Sequence, residues 1–430
     1  MGPIAVNHPP FLSNTEPCFA ARTRQSCATF DGCARYLGPF IIISLNAEQP
    51  RPPMSLIYRL ASRNLFHDRL RFIATVVGIV FSIVLVTVQL GLYLGFGRVV
   101  TTMIDHAAAD LWIMPLGTKC FEDPSTLDER KRFQALSING VAQATPVVIG
   151  YADWRIPEGG TSPVFIVGSD LRADGLLPWN LVEGSLDALA IPGAVAIDRS
   201  YFGRLGVSGI GGSAEIRGHK VEVRAVTNGI RSFTTTPYVF TTLDRGRTYT
   251  GISANKATYF LVRVSPGADV ESVRRGLKAN LSDVDVLTTA EFRDRSRSFW
   301  LFGTGAGFAL FAGALLGMIV GTVIVAQTLY SSTKDHLNEF ATLRAIGSSS
   351  VYIHKVIICQ ALISAVIGFC LAAGIGLIVV AATADTALPV VMTPTLTLVL
   401  FLLTLAMCVV SAIAAILQVT RIDPVTVFTR

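Results

Sequence analysis

Charged residues are scarce in this sequence of 430 residues: Asp, Glu, Lys and Arg make up only 15% of it, whereas they supply about a quarter of a typical soluble domain. Hydrophobic residues make up 51%, and the mean hydropathy is +0.52. This shortage of charge predicts that much of the chain lies in lipid. The net charge of +6 does not indicate nucleic-acid binding, because many basic residues lie beside apolar segments, where they fix membrane topology.

The sequence also lacks several motifs that carry chemistry. It contains no Gly-Lys dipeptide, which excludes the P-loop that holds nucleotide phosphates. None of its six histidines forms a pair at metal-ligand spacing, and its seven cysteines are too scattered to form a disulfide framework. We therefore expect no metal site, no cofactor and no catalytic site in this chain, so that any ATP hydrolysis is left to a partner.

Long apolar segments occur in two parts of the chain, and each is long enough to cross the hydrocarbon core of a membrane. They predict four transmembrane helices, TM1 to TM4, at residues 72–97, 299–328, 356–382 and 395–417. The segments between and after them are a large domain at 98–298, a loop at 329–355, a turn at 383–394 and a tail at 418–430. The predicted fold is an α-helical polytopic membrane protein with a large extracytoplasmic α/β domain between helices 1 and 2.

The interiors of the four apolar segments contain almost no ionisable residue. Ion-coupled transporters carry Asp, Glu, His or Lys inside the membrane, where these side chains bind the coupling ion or proton. Their absence argues against a secondary transporter. If this protein moves a substrate, the energy must enter elsewhere.

The first 53 residues differ in character, with Pro-Pro pairs at 9–10 and 52–53 and three of the seven cysteines. We expect a poorly ordered extension with a working start near Met54; a disordered cytosolic tail and a processed segment are the alternatives. In residues 54–71, apolar residues recur at helical spacing with arginines between them. This pattern predicts an amphipathic helix that lies on the cytoplasmic membrane surface and runs straight into TM1.

Basic residues flank the apolar segments on one side of the membrane. They precede TM1, lie between TM2 and TM3, and follow TM4: Arg59, Arg63, Arg69, Arg71, Lys334, Arg344, Lys355, Arg421 and Arg430. The turn between TM3 and TM4 has no Lys or Arg. By the positive-inside rule, both termini and the 329–355 loop are cytoplasmic, and the large domain lies outside.

The large domain contains short segments that are rich in β-branched residues and bounded by Gly, Pro, Asn or Asp. They predict strands at Gln143–Ile149, Pro163–Val167, Ala214–Ile216, Lys220–Val226, Pro237–Thr241 and Tyr259–Val264. From Tyr259 to Leu287 the pattern predicts a strand, a helix and a second strand, with Asp269 near the start of the helix.

Small residues recur along TM2 at a spacing of four: Ala309, Gly313, Gly317 and Gly321. Such a row lets helix backbones approach closely. One interpretation is packing within the four-helix bundle. The other is a seam between two copies of the chain, or a helix that slides during a cycle.

The 329–355 loop contains an apolar stripe at Leu337, Phe340, Leu343 and Ile346, and Gly347 suits the end of a helix. This pattern predicts a short amphipathic helix between two spans. One interpretation is a membrane-surface helix without a partner. The other is a helix that docks in a groove of a cytosolic protein.

The same loop carries a family resemblance. Glu339–Gly347, with the sequence Glu-Phe-Ala-Thr-Leu-Arg-Ala-Ile-Gly, resembles the signature E-x-[AG]-x-L-[RK]-A-[IL]-G of the FtsX-like/MacB permease family of ABC systems. Lys334–Leu337 is similar to the DevC branch of that family, Asp423–Phe428 resembles its closing D-P-[AV]-x-A-[LF], and Arg63–Leu65 resembles its opening [RK]-N-[LI]. The layout of one span, a large outer domain and three spans matches too. The resemblance extends over residues 54–430.

This resemblance implies a permease that forms a homodimer in a bacterial inner membrane and binds a separate cytosolic ABC ATPase subunit. In this family the substrate is thought not to pass through the helices. ATP-driven closure is relayed to the periplasmic domain, which pushes the substrate outward, often into a membrane-fusion adaptor and an outer-membrane channel. The residues implied for the ATPase-coupling helix are Lys334, Leu337, Glu339, Phe340, Leu343, Arg344 and Gly347.

Three functions fit the resemblance. The first is export of a lipid-like or hydrophobic substrate by this mechanical relay. The second is signal transmission to a cell-wall hydrolase, as in FtsX proper, and the third is extraction of lipoproteins, as in LolC/LolE-like systems. The length of the 98–298 segment favours export, since FtsX proper carries a smaller outer domain. We expect membrane lipid as a partner and no nucleic acid.

Overall fold

The computed structural model describes residues 54–171, 175–336 and 348–420, together with Glu339, Thr342 and Ile346. The expected N-terminal extension at 1–53 and the tail from residue 421 lie outside the described residues. In chain order the α-helices are α1 (Met54–His67), α2 (Arg69–Val99), α3 (Thr102–Asp105), α4 (Arg130–Leu136), α5 (Phe202–Leu205), α6 (Leu243–Thr250), α7 (Val270–Asn280), α8 (Thr289–Ser298), α9 (Ala306–Asp335), α10 (Ser350–Thr383) and α11 (Pro394–Thr420).

Four of these helices, α2, α9, α10 and α11, are long and apolar enough to cross a membrane. Helix α2 packs against α9 and α10, and α11 packs against the same two helices. The predicted fold class is confirmed: four apolar helices form a bundle, and a large α/β domain is inserted between the first and second of them.

The start of the second span differs from the expected residue 299. Residues Phe299–Gly303 form a π-helical turn, and α9 begins only at Ala306. Gly305 causes the separation, because it adopts a left-handed conformation with φ +76° that a helix interior does not contain. The apolar residues from Phe299 therefore form a connecting turn between the outer domain and the membrane helix.

The amphipathic helix before the first span also differs from expectation. It does not run straight into the span, because Asp68 adopts a non-helical conformation between α1 and α2. Ile57 and Ala61 of α1 are buried in a cluster with Val356 of α10. Helix α1 therefore packs on the bundle with its apolar face, which is how an amphipathic helix is stabilised by its surroundings.

The outer domain is built on one large sheet. Its strands are β1 (Leu111–Pro115), β3 (Val141–Arg155), β4 (Thr161–Ser169), β5 (Leu181–Gly184), β6 (Ala194–Asp198), β7 (Ser213–Ile216), β8 (His219–Thr227), β9 (Tyr238–Thr242), β11 (Tyr259–Val264) and β12 (Val284–Thr288); β2 (Leu127–Asp128) pairs with β10 (Lys256–Ala257). The sheet order is β12-β1-β11-β3-β4-β9-β6-β8-β5, with β7 paired to β3 and β8. All pairs are antiparallel except β4 with β9 and β6 with β8.

Both faces of the sheet near β1 are buried. Leu111 and Ile113 belong to a cluster with residues of α4 and α7. Trp112 and Met114 belong to a second cluster that includes Phe292 of α8. Side chains alternate between the two faces of a sheet along a strand. Helices cover both faces at β1, so neither set of its side chains faces solvent.

Each of the six predicted strands overlaps a strand of the structure, which confirms that these strands exist: β3, β4, β7, β8, β9 and β11. Strand β3 is longer than predicted and continues to Arg155. The strand–helix–strand prediction after Tyr259 is also confirmed by β11, α7 and β12. Asp269 is the N-cap of α7, and its carboxylate accepts a hydrogen bond from Ser272 N at 2.9 Å. Strands β1, β2, β5, β6 and β10 were not predicted.

Candidate functional site

The outer domain meets the membrane bundle at a small group of side chains that we call the stalk junction: Phe96, Glu122, Arg231, Phe233 and Trp300. Phe96 ends the apolar part of α2, and Trp300 lies in the π-helical turn before α9. The Phe233 ring contacts both, with ring centroids 5.4 Å from Phe96 and 4.6 Å from Trp300. One aromatic side chain of the outer domain thus packs between the two connections to the membrane.

Glu122 is the polar centre of the stalk junction. Its side chain is buried, with only 7% of the residue exposed. Trp300 Nε1 donates to Glu122 Oε2 at 2.9 Å, and the Tyr238 hydroxyl donates to Oε1 at 3.4 Å. The carboxyl of an outer-domain loop therefore links the domain core to the connecting turn of α9.

Burial raises the pKa of the Glu122 carboxyl from 4.5 to about 7, because the charged form loses its hydration. The hydrogen bonds from Trp300 and Tyr238 favour the charged form and oppose this rise. Burial also raises the pKa of the neighbouring Cys120 thiol to about 12, and the negative charge of Glu122 contributes a smaller part of this rise. The thiol therefore stays protonated.

Arg231 joins the outer domain to the turn between α10 and α11. Its guanidinium donates to Ala384 O at 3.1 Å and to Asp385 Oδ1 at 3.1 Å. The loop that carries Arg231 is fixed by the buried Asp198, whose Oδ2 accepts from Ile230 N at 2.8 Å. Next along the loop, Ser232 N donates to the Tyr201 hydroxyl at 2.9 Å. The guanidinium is thus presented by an ordered loop.

The turn that Arg231 contacts is itself packed tightly on α2. Val391 N donates to Gly91 O at 3.1 Å. At Gly95 a Cβ atom would lie 1.9 Å from Pro389 O, so only glycine allows this approach. The outer end of the bundle is therefore one packed unit made of α2, the 384–393 turn and the 228–237 loop.

Helix α8 connects the sheet to the π-helical turn and is anchored at both ends. Thr288 and Glu291 form a capping box at its start. Near its end, Arg297 Nε donates to Gly97 O of α2 at 3.2 Å. Phe292, between them, is buried in the domain core. Helix α8 is therefore fixed to the sheet at its start and to α2 near its end.

The structure places three of the four residues of the predicted small-residue row against α2 of the same chain. Cβ atoms at Gly313 and Gly317 would lie 2.8 Å from Gln89 Nε2 and 3.0 Å from Leu85 Cδ2. At Gly321 a Cβ would lie 2.3 Å from Ser82 Cβ, and the Ser82 hydroxyl donates to Gly317 O at 2.7 Å. Ala309, the fourth member of the row, is exposed.

Two of the residues implied for the coupling helix are described. Lys334, in the last turn of α9, and Glu339 are both exposed. His336 Nδ1 lies 3.2 Å from Glu339 Oε2, an ion pair when the imidazole is protonated. Arg71 forms ion pairs with Asp335 and with Asp68. The remaining implied residues lie outside the described residues: Leu337, Phe340, Leu343, Arg344 and Gly347.

The sequence patterns did not identify the stalk junction. Glu122 and Trp300 are 178 residues apart, so no spacing rule connects them. One signal was present: Trp300 stands at the edge of an apolar segment, where tryptophan commonly marks a membrane interface. The acidic partner has no comparable signal, because an isolated Glu in a loop is ordinarily solvated.

Comparison with protein families gives two matches. The model described as the MacB-like periplasmic core domain matches residues 72–280. The model described as the FtsX-like permease C-terminal region matches residues 311–424. The first match covers the first span and most of the outer domain, and the second covers the remaining three spans. A comparison with curated proteins found no match.

Three solved structures are similar to part of this chain. The periplasmic region of MacB from Actinobacillus actinomycetemcomitans is 11% identical and covers 44% of this chain and 94% of its own, with a TM-score of 0.34. The extracellular domain of the noncanonic ABC-type transporter YknZ from Gram-positive bacteria is 17% identical and covers 42% of this chain and 99% of its own, with a TM-score of 0.32. A domain of a putative permease protein from Porphyromonas gingivalis is 14% identical and covers 42% of this chain and 89% of its own, with a TM-score of 0.30.

Proposed function

This chain belongs to the MacB/FtsX-type family of ABC permeases, and we propose that it relays ATP-driven motion of a separate ATPase subunit to its periplasmic domain. The motion would drive the export of a lipid-like or hydrophobic substrate. Family membership makes the chain a multi-pass permease component and implies a cytosolic ABC ATPase partner. Permeases of this family are generally non-catalytic, so the chemistry of ATP hydrolysis belongs to the partner.

The observation that carries the proposal is the bond between Trp300 and Glu122. Trp300 lies in the turn that leads into α9, and Glu122 lies in a buried loop of the outer domain, with 2.9 Å between Nε1 and Oε2. Between this bond and α9 lies only the short bend at Thr304 and Gly305, where Thr304 N donates to Phe299 O at 3.1 Å. A tilt or shift of α9 would therefore move the outer domain as a body, which is the requirement for a mechanical relay.

The membrane bundle supports the same proposal. Polar side chains donate to backbone carbonyl oxygens of neighbouring helices: the Ser82 hydroxyl donates to Gly317 O, and the Ser411 hydroxyl donates to Thr322 O at 2.9 Å. The interiors of the four apolar segments contain no Asp, Glu, Lys or Arg. Such groups mark the path of an ion or a charged substrate through a bundle. These spans have none, and we propose that the bundle transmits motion and that the substrate moves outside it.

We propose that both termini and the 329–355 loop are cytoplasmic in a bacterial inner membrane. The ion pair between Arg71 and Asp335 supports this topology, because it places the start of α2 and the end of α9 at the same end of the bundle. That end carries the basic residues of α1 and Lys334, as the positive-inside rule requires of the cytoplasmic side.

We propose a homodimer, and a membrane-fusion adaptor with an outer-membrane channel as further partners. Gly313, Gly317 and Gly321 already pack on α2, so a seam between two copies would use the exposed face of α9. That face carries large apolar side chains: Phe308, Phe311, Leu315, Leu316, Ile319 and Val323. We assign the chain to the DevC-like branch on the Lys334–Leu337 resemblance.

We propose that Lys334, Leu337, Glu339, Phe340, Leu343, Arg344 and Gly347 form the coupling helix. Replacing Glu339 and Leu343 together by alanine should abolish stimulation of the ATPase in the reconstituted complex, because the docking contact loses its charge and its apolar anchor. In the unmodified complex, ATP should also change amide hydrogen exchange in the 228–237 loop, and this change should disappear in the double variant.

The matched control replaces Val182 and Glu183, an exposed apolar and acidic pair on strand β5, by alanine. This control should keep both responses. Unchanged ATPase stimulation in the Glu339 and Leu343 variant would refute the coupling helix. An outer domain that never responds to ATP would refute the relay. A response accompanied by activation of a cell-wall hydrolase, or by release of a lipoprotein, would replace export by the corresponding alternative.

A further inference from the structure

An open pocket of about 480 Å³ lies at one edge of the outer domain, outside the stalk junction. This volume is within the range of small-molecule sites in proteins. The residues that line it come from the segment after β1, from β12, from α8 and from the π-helical turn: Leu116, Gly117, Thr118, Lys119, Asp285, Arg295 and Phe299.

The pocket lies on the membrane side of the outer domain. Phe299 is the first residue of the π-helical turn that leads into α9. Arg295, one turn earlier in α8, donates from Nη1 to Thr118 O at 3.3 Å, so the segment after β1 lies at the level of the end of α8. Because the adjacent helix crosses the membrane, the pocket opens at the outer interface of the bilayer.

One part of the lining is apolar and exposed. The Leu116 residue, in the loop after β1, is 69% exposed. Phe299 is half-buried, and Phe302 in the same turn is 66% exposed. Large apolar side chains at this level are stable when they contact the region between lipid headgroups and acyl chains.

The other part of the lining carries charge. Lys119 is exposed and has no ion-pair partner among the residues that the structure describes. Arg295 Nη1 lies 2.7 Å from Asp285 Oδ2, which also accepts from Gly117 N at 3.3 Å. Asp285 thus holds the guanidinium in place beside the loop. Two cations and one anion leave the pocket with a net positive charge.

We propose that this pocket binds the headgroup of an anionic glycerophospholipid from the outer leaflet of the surrounding membrane. Lys119 and Arg295 would contact the phosphate and the anionic headgroup. Leu116 and Phe299 would contact the glycerol and the first acyl carbons. The net positive charge favours an anionic lipid over a zwitterionic one, and the apolar wall favours a lipid over a soluble phosphate. The inference needs only that the four helices cross the membrane.

The test uses the full chain in nanodiscs that contain equal parts of phosphatidylglycerol and phosphatidylcholine. Lipids that stay bound after release from the nanodisc are identified by native mass spectrometry. The unmodified protein should retain phosphatidylglycerol preferentially. Lys119→Gln should lower this preference about fivefold, as expected for the loss of one favourable exposed ion pair.

Two further variants make the result specific. Leu116→Gln keeps every charge and should weaken retention of both lipids, because the apolar contact is lost. Lys220→Gln removes an exposed lysine of β8 in another part of the domain and should change nothing. Equal retention of both lipids by the unmodified protein would overturn the proposal, as would an equal effect of Lys220→Gln. Binding of free glycerol phosphate as tight as that of phosphatidylglycerol would also overturn it.

Discussion

At the outer end of the bundle, hydrogen bonds and an ion pair join the outer domain to the membrane helices. Inside the bundle, the backbones of α2 and α9 approach closely at glycine residues. The Trp300–Glu122 and Arg231–Asp385 contacts depend on specific donors and acceptors. The contact between α2 and α9 at Gly317 and Gly321 depends on the absence of a side chain. The first region should therefore respond to changes of charge and hydrogen bonding, and the second to changes of volume.

The largest effect is expected inside the bundle, from Gly321→Ala. The new Cβ would lie 2.3 Å from Ser82 Cβ and 3.0 Å from Met407 Sδ, so α2 and α9 must separate. Such overpacking should lower the free energy of unfolding by about 3 kcal/mol. Thermal unfolding in detergent micelles measures the effect.

The matched control makes the same change at Gly374, a helical glycine of α10 with no heavy atom within 4 Å of its Cβ position. Gly374→Ala should be neutral or stabilise the protein by up to about 1 kcal/mol, because alanine favours a helix over glycine. Equal destabilisation by both substitutions would mean that glycine is needed for helix flexibility. It would contradict the claim that the contact between α2 and α9 depends on the small volume of glycine.

An intermediate effect is expected from Glu122→Gln at the stalk junction, and it should depend on pH. The folded-state pKa of about 7 exceeds the ordinary value of 4.5. Because the carboxyl holds its proton more tightly in the folded than in the unfolded state, it contributes stability that is fully present below pH 4.5. This contribution is lost as the pH rises from 4.5 through about 7. The unmodified protein should thus lose about 2 kcal/mol between pH 5 and pH 7 through this group, as an upper limit.

Glutamine stays neutral and can still accept from Trp300, so Glu122→Gln should remove this part of the pH dependence. Melting temperatures of both proteins at pH 5 and pH 7 test the prediction. Glu158→Gln, at an exposed hairpin turn, is the control and should keep the pH dependence of the unmodified protein. An identical loss of stability in the unmodified protein and in Glu122→Gln would show that Glu122 is charged in the folded state at both pH values.

The smallest effect is expected at the rim of the junction, where Arg231 contacts Asp385. The Asp385 side chain is 96% exposed, so solvent screens the pair. Arg231→Ala should cost about 1 kcal/mol, and Asp385→Asn less, because the guanidinium still donates to Ala384 O. A double-mutant cycle measures their coupling energy. A coupling energy well above about 1 kcal/mol would show that this contact is a main connection of the junction.

The sequence predicted elements whose pattern is local. Strand β8 was predicted because Val221, Val223 and Ala225 alternate with polar residues, and all three are buried. Strands β1 and β6 were missed for the opposite reason. Both are buried along almost their whole length, so they show a short apolar run without alternation, which does not distinguish a strand from other buried structure.

The candidate site was less predictable than the fold. The coupling-helix residues carry a motif within one segment, whereas the junction joins residues that are far apart in the chain. Glu122 lies beside Trp300 because contacts with α8 hold its loop next to the connecting turn: Arg295 Nη1 donates to Thr118 O, and Phe121 N donates to the Ser296 hydroxyl. Its raised pKa also depends on burial, which no spacing in the sequence encodes.

The relay is tested most directly by Trp300→Phe in the complete complex with the ATPase. Phenylalanine keeps most of the contact with Phe233 but cannot donate to Glu122. Trp154→Phe is the matched control, since Trp154 Nε1 donates to Leu205 O at 3.0 Å in a cluster away from the junction. ATP-dependent change in amide hydrogen exchange of the 228–237 loop should be lost in Trp300→Phe and kept in Trp154→Phe, with ATP turnover unchanged in both. A full response of the loop in Trp300→Phe would contradict the relay through the stalk junction.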